Sequence, residues 1–144
     1  AKTYGDMETH IYKRHQMAKI FVYLTGLIFL TYGALFSVFP IEMSYWITGS
    51  RPQGASAIID VRATYGGAQF AIGALLLFVT KLKNDVDMAL LMVALILLSM
   101  AFSRALGIGL DGQANGLMFV YLAAEIAGGL AALYLRNSVA VKNN

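Results

Sequence analysis

A carboxylate, two guanidinium groups and a few polar side chains stand inside otherwise apolar runs of this chain. Glu125 lies in Leu117 to Leu135, Arg104 in Met88 to Leu110, and Arg62, Tyr65 and Gln69 in Ile58 to Thr80. A charge at the centre of a membrane span costs on the order of 3 kcal/mol on insertion scales and demands compensation. Glu125 is the most demanding, because a short carboxylate in mid-run reaches neither end and must be paired or protonated. Two kinds of chemistry fit. In the preferred one, Arg62, Tyr65, Gln69, Arg104 and Glu125 hold the polar head of a lipid-like molecule or a partner's side chain. In the other, Glu125 exchanges a proton with a hydrophobic substrate in an isomerase or cyclase type of reaction, Tyr65 assists, and Arg62 or Arg104 stabilises developing negative charge. The bland reading needs no ligand: both arginines extend to headgroups and Glu125 is an ion-pair partner that fixes helix packing.

Other chemistries find little support. Cysteine is absent, which removes disulfides, thiolate metal sites and thiol redox chemistry. His10 and His15 are five apart, a spacing that does not place two ligands on one helical face. Gly107, Gly109, Asp111, Gly112, Asn115 and Gly116 lack the acidic ligands of a calcium loop and read as a turn. No Walker lysine and no dinucleotide fingerprint stands in a strand-turn-helix context, and no nucleophile with a partnered base is evident. No metal and no cofactor is expected.

The elements that must position these residues follow from composition. The chain has 144 residues, 58% hydrophobic and 13% charged, outside the range of an ordinary soluble domain. A membrane-crossing helix needs about 20 apolar residues, and four such runs are present: roughly Met17 to Phe39, Ile58 to Thr80, Met88 to Leu110 and Leu117 to Arg136. Lipid supplies no hydrogen bonds, so only helices or closed barrels satisfy every amide, and strand-like alternation is lacking. The expected fold is an all-α integral membrane four-helix bundle: a charged N-terminal segment over 1–16, a transmembrane domain over 17–136 and a tail over 137–144. The first run lacks a small-residue cleavage site before Pro40 and is expected to remain as a helix. Pro40 to Ala57 should lie along the surface as a short helix and a turn.

Basic residues set the expected orientation. Lys2, Lys13, Arg14, Lys19, Lys81, Lys83, Arg136 and Lys142 fall on the side of the termini, and Arg51, Arg62 and Arg104 on the other. By the positive-inside rule both termini are cytoplasmic. The net charge of +3 belongs to this bias and to contact with membrane lipids; no nucleic acid is implied. At 1.5 Å rise per residue, Glu125 lies roughly 13 Å below the outer surface and Arg62 and Arg104 about 6 to 9 Å below it. The three charges should converge in the outer half of the bundle, with Tyr65, Gln69, Ser103, Asp60 and Asp111 in reach. Helical spacing aligns Arg62, Tyr65 or Gly66, Gln69 and Gly73 on one stripe, and Tyr121, Glu125, Gly128 and Ala132 on another. Small residues on both stripes point to close helix packing.

The stretches Arg62-Ala63-Thr64-Tyr65-Gly66-Gly67 with Gly73, Ser103-Arg104-Ala105-Leu106-Gly107 before Asp111-Gly112, and Glu125 before Gly128-Gly129 resemble a bacterial family of small four-helix membrane proteins of unknown function, similar to the DoxX-like group. The resemblance covers nearly the whole chain after Met17. It implies four helices in a bacterial inner membrane, a charged site near the outer leaflet, and an accessory role as a homo-oligomer or as a subunit of a larger membrane complex, with a hydrophobic small molecule as a further partner.

Overall fold

The computed structural model describes residues 4–140. Lys2 and Lys142, counted in the charge bias, and the outermost parts of the 1–16 segment and the 137–144 tail lie outside the described residues. Helix α1 spans Tyr4–Val38 and α2 spans Pro40–Thr48; a third rod is built from α3 (Gly54–Val61), a π-helical stretch (Arg62–Ala68) and α4 (Gln69–Lys81); α5 is Val86–Asp111 and α6 is Gly116–Ala140. Among the described residues there are no strands. Thr9–Val38, Gly54–Lys81, Val86–Asp111 and Gly116–Val139 are each long and apolar enough to cross a membrane.

Helix α1 begins well before Met17. No proline precedes Pro40, so nothing breaks the hydrogen-bond ladder, and the charged lead continues the rod, with Gln16 Nε2 donating to the Tyr12 hydroxyl one turn back (2.9 Å). Pro40 sits at the start of α2, where its missing N–H costs nothing. Gly49, at φ 76°, ends α2 in the left-handed conformation. At the other end of the molecule Asp85 caps α5 by accepting from the Met88 amide (2.9 Å).

The rods pack as two antiparallel pairs, α1 with the π stretch and α4, and α5 with α6. Glycine permits the first pairing: a Cβ on Gly73 would stand 2.6 Å from both the Gly26 carbonyl oxygen and the Leu30 nitrogen of α1, and one on Gly33 would stand 2.6 Å from the Phe70 Cα. Such small-residue contacts let backbones approach closely and gain dispersion energy without any hydrophobic drive. In the second pair a Cβ on Gly129 would stand 2.6 Å from the Leu98 side chain.

The two pairs meet at the end that carries the termini, where Ala18, Val22, Leu76, Leu90, Val93 and Ala132 form a core with almost no exposure. Two polar links hold this end. Arg136 pairs with Asp87 through two hydrogen bonds (3.0 and 3.2 Å), and Lys19 Nζ donates to Asn84 Oδ1 (2.8 Å). The outward faces stay apolar: Leu24, Leu27, Leu95, Phe102, Val120 and Leu130 are all exposed.

Candidate functional site

At the end away from the termini the two pairs leave a cavity of about 700 Å³ between them. Residues of α1, α2, α4, α5, α6 and the π stretch line it, and it reaches the surface beside Ser50 and Arg51, both exposed. Most of its wall is hydrocarbon and aromatic, from Phe21, Phe29 and Phe36 on one side to Leu97 and Met100 on the other.

The charged part of the wall is one ion pair, with Arg51 as a third charge at the exposed end. Arg104 on α5 donates from Nε to Glu125 Oε2 (2.9 Å) and from Nη2 to Glu125 Oε1 (2.5 Å). Glu125 is 5% exposed, so the fork-to-fork geometry compensates a carboxylate that would otherwise be desolvated alone. Helix α6 surrounds the guanidinium with three side chains at helical spacing: Glu125, Tyr121, whose ring centroid lies 5.2 Å from Arg104 Cζ, and Met118, whose sulfur accepts from Nη1 (3.3 Å). Steps of three and four put them on one face. The Tyr121 hydroxyl then meets the Tyr32 hydroxyl of α1 at 2.8 Å, which connects the two helix pairs across the cavity.

The Thr25, Ser44 and Thr48 hydroxyls of the wall are satisfied locally. Thr25 donates to the Phe21 carbonyl (2.9 Å) and Ser44 to the Pro40 carbonyl (2.7 Å). Asn115 fixes the roof. Its Oδ1 accepts from the Met118 amide at the start of α6 (3.2 Å), and its Nδ2 donates to the Ile47 carbonyl of α2 (2.9 Å). Thus α2 is held over the cavity by the residue that caps α6.

Of the residues singled out from the sequence, Tyr65, Gln69, Arg104 and Glu125 line this cavity. Tyr65 also packs against Phe36, ring centroids 5.3 Å apart. Arg62 is not among the lining residues: it is exposed, and its Nη1 donates to the Ser37 carbonyl of α1. The π stretch explains the separation. Seven residues complete two turns at the α period, which aligns Arg62 with Gln69. Bonds to the fifth residue instead of the fourth widen the turn, so across Arg62–Ala68 seven residues fall short of two turns and the arginine leaves the stripe. Ser103, Asp60 and Asp111 are exposed and do not line the cavity, and Asp60 accepts from Thr64 (3.5 Å). Tyr32, Met118 and the α2 roof were not evident beforehand; a tyrosine on α1 carries no sign in the sequence that it faces α6.

Residues 17–136 match a family model described as a domain of unknown function, DUF4345. The chain belongs to the DUF4345 family. The match takes in the cavity residues and most of each of the four long apolar helices. No curated protein and no solved structure matches the chain significantly. Within this DUF4345 chain no group of three or more His, Cys, Asp or Glu residues among the described residues is arranged to hold a metal ion.

Proposed function

We propose that this protein is a small multi-pass membrane protein that binds an amphipathic, lipid-like molecule between its two helix pairs, with the Arg104–Glu125 pair and its tyrosines contacting the polar head. One observation carries this reading: a cavity of about 700 Å³, in the range of small-molecule sites, has a mostly apolar wall on which the Arg104–Glu125 pair, Tyr32, Tyr65, Gln69 and Tyr121 supply polar groups. The distribution of basic residues supports cytoplasmic termini and a cavity that opens toward the outer leaflet. Residues 17–136 would form the membrane domain, and the charged first turns of α1 a cytoplasmic extension available to a partner. The DoxX-like resemblance of the Arg62 and Arg104 stretches supports a bacterial inner membrane location and an accessory role, as an oligomer or within a larger complex.

The arrangement supports binding over acid–base catalysis. Both Glu125 oxygens are engaged by Arg104, so the carboxylate serves as an ion-pair partner.

The test is mass spectrometry of an organic extract from gently purified wild-type protein beside the same extract from Glu125→Gln. One hydrophobic species enriched in wild type and lost in the variant is the expected result. Bulk phospholipid alone in both, with both folded, would refute the ligand site and leave the pair as a packing device.

A further inference from the structure

We propose that the cavity selects an uncharged amphipath whose head presents a carbonyl or hydroxyl oxygen, and discriminates against anionic heads. This rests on the reading of the cavity as a ligand site.

Charge is the first argument. Three charged residues line the cavity, Arg51, Arg104 and Glu125. Arg104 is neutralised by Glu125 at contact distance. Arg51 stands at the exposed end, its guanidinium 5.0 Å from the Tyr45 ring centroid, and contributes little field to the interior because exposed charges are screened. An anionic head beside Arg104 would share one cation with a carboxylate already bonded to it, and like charges in a low-dielectric wall repel strongly.

Hydrogen-bond capacity gives the second argument. Arginine has five N–H donors; two go to Glu125 and one to Met118, which leaves one hydrogen on each terminal nitrogen without an acceptor among the described residues. The thioether of Met118 is itself a weak acceptor, readily exchanged for a better one. In the Tyr32–Tyr121 contact one hydroxyl donates to the other, so the accepting hydroxyl keeps its own hydrogen for a third group. The wall hydroxyls of Thr25 and Ser44 already spend their hydrogens on backbone carbonyls four residues earlier. Free donors therefore gather at Arg104, Tyr32 and Tyr121, with the Tyr65 hydroxyl and the Gln69 amide on the same mostly apolar wall, and call for a neutral acceptor oxygen. Phe21, Phe29, Leu97 and Met100 are left to cover the hydrocarbon.

Delipidated full-length protein in neutral detergent is offered equal concentrations of 1-monooleoylglycerol and oleoyl lysophosphatidic acid, which share one chain, and the retained lipid is quantified by mass spectrometry. Wild type is expected to retain the neutral lipid about tenfold better, the ratio that 1.4 kcal/mol produces. The Tyr32→Phe/Tyr121→Phe variant, which keeps both rings, should retain several-fold less of it. A preference for the phosphate lipid overturns the inference while leaving the cavity as a lipid site. Unchanged retention in the double tyrosine variant overturns the placement of the head. Retention of neither lipid removes the ligand reading itself.

Discussion

Arg104 and Glu125 are bound to each other through two parallel hydrogen bonds, 2.9 and 2.5 Å long, across the seam between α5 and α6. The fork fixes the register of the two helices at that level, because a slip of one residue would rotate either partner off the seam. It also sets the polarity of the cavity wall: a full positive and a full negative charge are present, yet the pair as a whole is neutral. Met118 and Tyr121 surround the same guanidinium, so its orientation is determined from three sides.

Removal of one partner should be worse than removal of both. Arg104→Ala leaves the buried Glu125 carboxylate alone and is expected to lower stability by about 3 kcal/mol; Glu125→Ala leaves a partly exposed arginine and should cost less. The double variant Arg104→Met/Glu125→Leu replaces the pair with apolar volume and should recover most of that loss. Thermal denaturation in detergent checks the cycle; a double variant less stable than either single one contradicts it.

The α1–α4 crossing should be intolerant at Gly73 and tolerant at Gly67. A side chain at Gly73 meets backbone atoms of α1, whereas a Cβ on Gly67 meets nothing within 4 Å. Gly73→Val should disrupt helix pairing and yield, while Gly67→Ala should be neutral or stabilising by up to about 1 kcal/mol through helix propensity. Melting temperatures of the two variants beside wild type decide the point.

Loss of Asn115 should loosen the roof without touching the core. Asn115→Ala removes both the cap on α6 and the bond to the Ile47 carbonyl, a cost of about 1 kcal/mol for the cap. Amide hydrogen exchange should accelerate in Pro40–Thr48 and in the first turn of α6, and stay unchanged over Val86–Ala94. Equal acceleration throughout would mean that the residue supports the whole fold rather than the roof.

The proposed orientation is open to direct labelling, because the chain has no cysteine to remove. Single cysteines at Ser50 and at Leu82, both exposed and at opposite ends of the rods, should differ in access to an impermeant maleimide. Ser50→Cys is expected to react in intact spheroplasts, and Leu82→Cys only after permeabilisation. The reverse pattern inverts the topology and places the cavity toward the cytoplasm.

Glu125 announced its need for a partner from the sequence, since no short carboxylate in the middle of an apolar run is stable alone. Arg104 and Arg62 were both candidates, because their depths along their helices are similar. Angle around the rod separated them. The α period placed Arg62 on the stripe of Gln69, and the π winding between them, which composition gives no means of locating, turned Arg62 toward the Ser37 carbonyl. Helix α1 runs beyond the apolar run into the charged lead, because charged residues off the apolar face do not interrupt a helix.

The sequence by itself determined that four long apolar runs form helices, since that composition leaves the backbone no other way to satisfy its amides, and that the charge within the last of them requires compensation. Tertiary structure alone decided which guanidinium meets Glu125, that Tyr32 faces Tyr121, and that the helix pairs close at one end and stand apart at the other. Those outcomes depend on how glycine seams and bulky side chains seat rods against each other, a property of surfaces brought together from distant parts of the chain and not of any local run of residues.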